Sequence, residues 1–215
     1  MCGRFAFYSP REAVKATFGV EFPLEFEPRY NITPSQYIPV LRGDASGELA
    51  PAMLRWGLVP SWAKDPSIGQ KMINARAETV AEKPSFRAAY RRRRCVILAD
   101  GFYEWQQEAG ARQPWYITAA DRQPFAMAGL WEHWDKGDEP LQTCAIITTA
   151  ANAFMTKLHH RMPVILTPDA ATSWIRQPDA KLLRACDDDR LLMRRVSRRV
   201  NSPANDGPEL IVAED

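Results

Sequence analysis

Cysteine is scarce in this 215-residue chain, and Cys2, Cys95, Cys144 and Cys186 lie too far apart to form any C-x-x-C pair. Neither a zinc site nor a disulfide framework is signalled, and no metal or other cofactor is called for. Histidine is scarcer still, limited to His133, His159 and His160. No apolar run reaches the length of a membrane span, and the first residues lack the basic, apolar, small order of a secretory leader. The expected setting is therefore the cytoplasm, without membrane contact, where thiols stay reduced. Repeats, linkers and low-complexity tracts are absent too, so a single domain over residues 1–215 is expected. A net charge of +2 is too small to announce a nucleic-acid binder by itself.

What is present is an ordinary globular composition, 46% hydrophobic and 25% charged, with the charge unevenly spread. Arg91 to Arg94 form one basic run and Arg194 to Arg199 another. Such runs are either solvated faces and strand edges or phosphate-binding surfaces. Seven tryptophans suit either a core or a surface that stacks bases beside arginines.

Many short strands are expected, among them CGRFAF, YIPVLR, AMLRWGLV, CVILADGFYEW, QPWYIT, FAMAGLW, TCAIITTA, RMPVILTP and a closing strand near ELIVA. Helices are expected over SPREAVKATFG, with Ser9 as cap, Pro10 first and Gly19 as stop, and after Thr167 and Pro168. PSFRAAYRRR, ANAFMTKL and PDAKLLRAC also read as helical, KMINARAETV opens a short helix, and EFPLEFEPRYNITPSQ reads as an extended loop. Without regular strand–helix alternation, the fold class is α+β: a mainly antiparallel β pseudo-barrel core with several short peripheral helices.

The start, MCGRFAF, carries the sharpest chemical signal. A small residue after the initiator methionine permits removal of Met1, which leaves Cys2 with a free α-amine and a free thiol. This 1,2-aminothiol can condense with an aldehyde and close to a thiazolidine, or its sulfur can act as an acyl-transfer nucleophile. The bland alternative is a small apolar residue packed at a strand start. Three further places combine reactive groups with turn or strand-end context: Asn74 in INARAET, Glu104 in ADGFYEW and His159 in KLHHRMP. Glu104 ends an apolar strand beside Trp105, where desolvation favours its protonated form and suits proton transfer. A structural hydrogen-bonding role is the alternative. Histidine is the side chain best able to move protons near neutral pH.

Taken together and in order, MCGRF, YNITPSQ, WGLVPSW, INARAET, ADGFYEW, ITTAAN and LHHRMPVIL resemble the SOS response-associated peptidase (SRAP) family of abasic-site processing proteins. The resemblance runs from Cys2 to VNSPANDGPEL. It implies that Cys2 crosslinks to the aldehyde of an abasic site in single-stranded DNA as a thiazolidine, with Asn74 positioning its amine and thiol. It also implies that Glu104 handles protons during attack and reversal, that His159 assists ring opening and imine formation, and that self-removal of Met1 is a related activity. Arg4, Arg76 and Arg161 lie in the same motifs and would hold flanking phosphates, with structural salt bridges as their alternative. Trp62 resembles an aromatic wedge that stacks on a base. Single-stranded DNA is thus the implied partner, replication-fork machinery a candidate partner, nucleoid association the implied state on DNA, and a monomer the default. One departure is visible: the family usually has aspartate after the catalytic histidine, and here His160 follows and competes for the role. Two other readings stay open, an N-terminal-cysteine amidase or peptidase on another substrate and a noncovalent single-strand binder.

Overall fold

Arg-Cys-Val-Ile-Leu-Ala at residues 94–99 is buried at every position, the pattern of a strand covered on both faces. The computed structural model describes residues 2–22, 26–44, 47–108 and 110–214. Its strands in chain order are β1 Phe5–Phe7, β2 Arg29–Ile32, β3 Tyr37–Gly43, β4 Leu49–Trp56, β5 Asn74–Arg76, β6 Arg94–Ala99 and β7 Gly101–Glu108. They continue as β8 Ala111–Ala119, β9 Phe125–Trp134, β10 Leu141–Ala150, β11 Arg161–Pro163, β12 Ile165–Leu166 and β13 Leu191–Arg195. The α-helices are α1 Arg11–Phe18, α2 Arg87–Arg92 and α3 Pro168–Arg176.

The expected α+β class holds, and the strands close. β10, β4, β3, β6 and β9 pair in that order, and β9 returns to β10, making a five-stranded barrel. Five strands cannot alternate direction around a ring, so one pair must run parallel. That pair is β4 with β10, in register at Thr143↔Arg55 and Cys144↔Trp56. The second sheet, β13-β8-β7-β1-β2, is antiparallel and packs on the barrel, with Phe5 of β1 edge-on to Trp56 of β4 at 5.2 Å between ring centroids.

β10 is the element that matters most for the site. Its first half lies between β9 and β4; its second half lies between β11 and β5, which pairs parallel at Ile146↔Asn74 and Thr148↔Arg76. One strand therefore fixes two segments that are far apart in the chain.

Several local expectations change in the folded chain. The apolar run CVILADGFYEW is two strands in two different sheets, broken at Asp100. Its buried carboxylate accepts the Tyr8 and Ser9 backbone N–H groups at 2.6 and 2.8 Å and the Ser9 hydroxyl. Next to it Gly101 packs so tightly on Tyr116 that an added Cβ would lie 2.3 Å from the ring. Ser9 is thus occupied by Asp100 and does not cap α1; Pro10 stands at the cap position, and Gly19 ends the helix at φ 69° as expected. Thr167 does cap α3, accepting from the Ala170 N–H, a bond of about 1 kcal/mol in such settings.

INAR is a strand rather than a helix because β10 offers it a free edge. ANAFMTKL and PDAKLLRAC supply only short 3-10 turns, at Met155–Lys157 and Ala180–Leu182. RYNI of the expected loop pairs with β1 as β2, while residues 23–25 of that stretch lie outside the described residues. The closing strand near ELIVA is a 3-10 turn at Pro208–Ile211, and the last strand is instead β13, inside the second basic segment. Among the described residues, no helix is long and apolar enough to cross a membrane.

Candidate active site

Cys2 sits three residues before β1, fully buried, in the seam between the second sheet and the barrel. Its carbonyl oxygen accepts from Asn74 Nδ2 at 2.8 Å, so the first residue of β5 reaches across the seam to hold the chain start. Asn74 Oδ1 is buried and has no hydrogen-bond partner among the described residues. An open buried acceptor costs roughly 1–3 kcal/mol, which makes its place beside a candidate nucleophile informative.

Burial pushes the Cys2 thiol well above its ordinary range, and the Glu104 carboxylate pushes it further, against a smaller opposing pull from the Arg4 backbone N–H. The sulfur is therefore held protonated at neutral pH, and its attack on any electrophile needs a base. Glu104 is the carboxylate near enough to influence the thiol. It lies on β7, buried to 3% exposure, opposite Trp115 of β8, and β7 pairs with β1 through Phe5↔Phe102.

A cleft of about 420 Å³ opens beside these groups, lined by Glu104, His159, Arg4, Trp105, Arg112 and Asn201, with Gly3 at its wall. His159 precedes β11, and its Nδ1 faces the Arg161 backbone, 2.9 Å from the N–H nitrogen and 3.1 Å from the carbonyl oxygen. Either tautomer finds a partner there, a donor for one and an acceptor for the other, and both leave Nε2 as the outer ring nitrogen. Three lining residues had not been singled out as site residues. Trp105 was seen only as the neighbour that desolvates Glu104. Its indole N–H donates to Asn201 Oδ1 at 2.7 Å, and the guanidinium carbons of Arg112 and Arg4 lie 5.2 and 5.8 Å from its ring centroid. Arg112 stands in no motif, and Asn201 was quoted only within VNSPAND, so nothing local marked either.

The four candidate DNA contacts are placed differently from one another. Arg4 lines the cleft, with Nη1 bound to Asn31 Oδ1 at 2.6 Å and to the Val200 carbonyl at 2.8 Å. Arg76 is exposed and close enough to Glu78 and His160 to influence both. Arg161 is buried, with its guanidinium spread over both Glu78 oxygens, at 2.5 and 3.0 Å, and the Thr148 carbonyl at 2.6 Å. Trp62 is 53% exposed. Its loop is braced where Gly57, at φ 121°, packs on Gly69; a Cβ there would lie 2.7 Å from the Gly69 carbonyl oxygen. Further ties run from Trp134 Nε1 to the Ala63 carbonyl at 2.8 Å and from Lys136 Nζ to the Trp62 carbonyl at 3.0 Å.

Much of the two basic runs is tied into the structure. Arg93 pairs with Glu132, and Arg94 donates to the Tyr90, Trp174 and Ile175 carbonyls. Arg194 donates to the Ile211 carbonyl, Arg195 and Arg198 to Gln113, and Arg199 pairs with Glu209. The folded chain thus gathers Cys2, Asn74, Glu104, His159 and Arg4 at one place, with Arg161 behind His159.

Comparison with known proteins gives a consistent picture. The family model for SOS response associated peptidase (SRAP) matches residues 1–203. The abasic site processing protein YoqW of Bacillus subtilis is 45% identical over 222 residues, covering 98% of this chain and 99% of that protein. The abasic site processing protein YedK of Escherichia coli is 34% identical over 226 residues, with 98% and 99% covered. A crystal structure of a Bacteroides thetaiotaomicron protein superposes with a TM-score of 0.87 at 26% identity, covering 99% of this chain and 100% of that one.

Proposed function

Since the chain belongs to the SOS response associated peptidase (SRAP) family, we propose that it processes abasic sites in single-stranded DNA by joining Cys2 covalently to the lesion. The observation that carries this reading is the Asn74–Cys2 hydrogen bond beside a cleft shared by Glu104 and His159. An aminothiol at the wall of a pocket that holds a base and a proton donor is what an aldehyde requires.

The chemistry follows from the groups. Removal of Met1 frees the Cys2 α-amine. Opening of the abasic deoxyribose exposes its C1′ aldehyde, with His159 Nε2 hydrogen-bonded to the sugar oxygen. The amine adds to C1′, and the carbinolamine loses one water to give an imine. Sγ then adds to the same carbon while its proton passes through Glu104 to the nitrogen, closing a thiazolidine. Water reverses each step, which releases the protein. Asn74 holds the Cys2 carbonyl so that amine and sulfur approach one carbon together. Self-removal of Met1 would be amide chemistry at the same centre.

Arg4, Arg76 and Arg161 are assigned to the flanking phosphates and Trp62 to a neighbouring base. Arg76 and Trp62 are exposed for this, whereas Arg161 would have to exchange Glu78 for phosphate. Three or four phosphate contacts correspond to a single-strand salt slope of roughly −2 to −3. Such binding is modest, and the covalent bond supplies persistence. The protein acts as a monomer at single-stranded gaps, where replication-fork machinery is the natural neighbour.

The test is intact mass after incubation with a single-stranded oligonucleotide carrying one abasic site, under denaturing conditions. The expected product is protein lacking Met1, plus DNA, less one water, and absent for Cys2→Ala. No adduct despite complete Met1 removal overturns the reading in favour of an amide substrate. Equal, noncovalent retention of intact and abasic strands favours simple binding.

A further inference from the structure

His159 and His160 are consecutive, yet their rings stack, with centroids 4.3 Å apart and planes inclined by 26°. Consecutive side chains of an extended segment point to opposite faces, so the stack requires the bend at His160 that precedes β11. The backbone holds that bend through the His159 N–H to the Met155 carbonyl at 3.0 Å and the Ala151 N–H to the His160 carbonyl at 3.1 Å. The two rings have unequal surroundings. His159 is half-buried and lines the cleft, while His160 is exposed on the solvent side.

We propose that His160 is a positioning residue for His159: its ring covers the solvent face of the His159 imidazole while the Arg161 backbone fixes Nδ1, so that Nε2 is held toward the cleft. This rests on the reading that His159 acts on the abasic sugar. A histidine ring at a surface otherwise turns about its χ angles in picoseconds to nanoseconds, and a hydrogen bond at Nδ1 alone leaves its tilt free. A stacked ring on the open side removes that freedom. Protonation of His160 is disfavoured first by His159 and also by Arg161 and Arg76, with Glu78 already engaged by Arg161. A neutral ring is the better stacking partner.

The experiment compares wild type, His160→Ala and His160→Phe in single-turnover crosslinking to an abasic single-stranded oligonucleotide, with long-range ¹H–¹⁵N spectra of the imidazoles in the protein without DNA. His160→Ala should slow crosslinking about 2–10-fold, the equilibrium equivalent of losing one aromatic pair, and His160→Phe should recover the wild-type rate within about twofold. The His159 nitrogens should report one fixed tautomer in wild type and His160→Phe and an averaged ring in His160→Ala. Because His160 is exposed and loses one ring contact, melting temperatures should fall by no more than about 5 °C. A wild-type rate and unchanged His159 spectrum in His160→Ala would overturn the proposal. Equal slowing by Ala and Phe would overturn it too, since the imidazole itself would then be required. If wild type gives no adduct, the functional reading has failed, and the spectra still decide whether the ring is clamped.

Discussion

Two concave surfaces of this molecule each have a cysteine whose backbone carbonyl accepts from an asparagine side chain, Cys186 in the lining of one and Cys2 buried next to Gly3 in the wall of the other. At the cleft, Asn74 Nδ2 reaches Cys2 at 2.8 Å. At a larger cavity of about 500 Å³, near the ends of α1 and β8 and the start of α3, Asn152 Nδ2 reaches Cys186 at 2.9 Å. Burial raises both thiols, Cys186 to about 11 and Cys2 well beyond. The difference lies in what surrounds them. Asn152 Oδ1 is spent on the Met155 N–H at 2.9 Å, whereas Asn74 Oδ1 has no such partner among the described residues. Neither histidine nor glutamate lines the larger cavity, while His159 and Glu104 both line the cleft. The larger cavity has the aspartates Asp121 and Asp187 but no imidazole, whereas the cleft joins a carboxylate to an imidazole.

The sharpest way to break this comparison is to remove each sulfur. Cys2→Ala should abolish the DNA adduct, and Cys186→Ala should leave its yield within about twofold on a denaturing gel, since Cys186 lies in a different cavity from Glu104 and His159. Glu104→Gln keeps the shape of the site and removes its base. Crosslinking should fall by about 10²–10⁴-fold in single-turnover assays, with the fold intact by circular dichroism. A fall of less than tenfold would take Glu104 out of the proton path.

The asparagines separate next. Asn74→Ala should slow crosslinking by about 10²-fold with little change in melting temperature, because it frees the Cys2 carbonyl. Asn152→Ala should do the reverse, lowering stability by about 1–2 kcal/mol while leaving the rate unchanged, because its bonds hold a turn. Rate loss in both would erase the distinction between the two regions.

Smaller effects concern the charges behind the cleft. Arg76→Ala should reduce the magnitude of the single-strand salt slope by about 0.7, the share of one phosphate contact. The hydrogen bond from Arg161 holds the Glu78 carboxyl below its ordinary value of 4.5. The folded chain thus binds that proton less readily than the unfolded one. The contribution is complete above the unfolded value and is lost as pH falls through the lowered folded value. Because Glu78 is half-exposed the loss should be small. Urea midpoints of wild type and Glu78→Gln should differ at neutral pH and converge in acid.

How much could be read without the fold depends on how local the cause is. The stop of α1 at Gly19 and the cap of α3 at Thr167 need only neighbouring residues, and both were legible. The break at Asp100 was not, because its reason is the N–H groups of Tyr8 and Ser9, more than ninety positions away. INAR looked helical for the same reason: the partner that makes it a strand is β10. At the site, Cys2, Asn74, Glu104 and His159 were legible as reactive types in suggestive contexts, and the motif order pointed to the family. Arg112 and Asn201 were not, since they meet the cleft through packing around Trp105.

By itself, then, the sequence determined the short-range features: the stop of α1, the cap of α3, the aminothiol that loss of Met1 would expose at Cys2, and the scarcity of cysteine and histidine. The tertiary structure decided which of these groups meet. Asn74 finds Cys2 across 72 positions of chain, and Arg161 turns to Glu78 and Thr148 across 83 and 13. Such meetings depend on the register of β10 with β5 and β11 and on closure of the barrel. Register is set by which faces must be buried together, a property of the assembled sheets that no window of neighbouring residues contains.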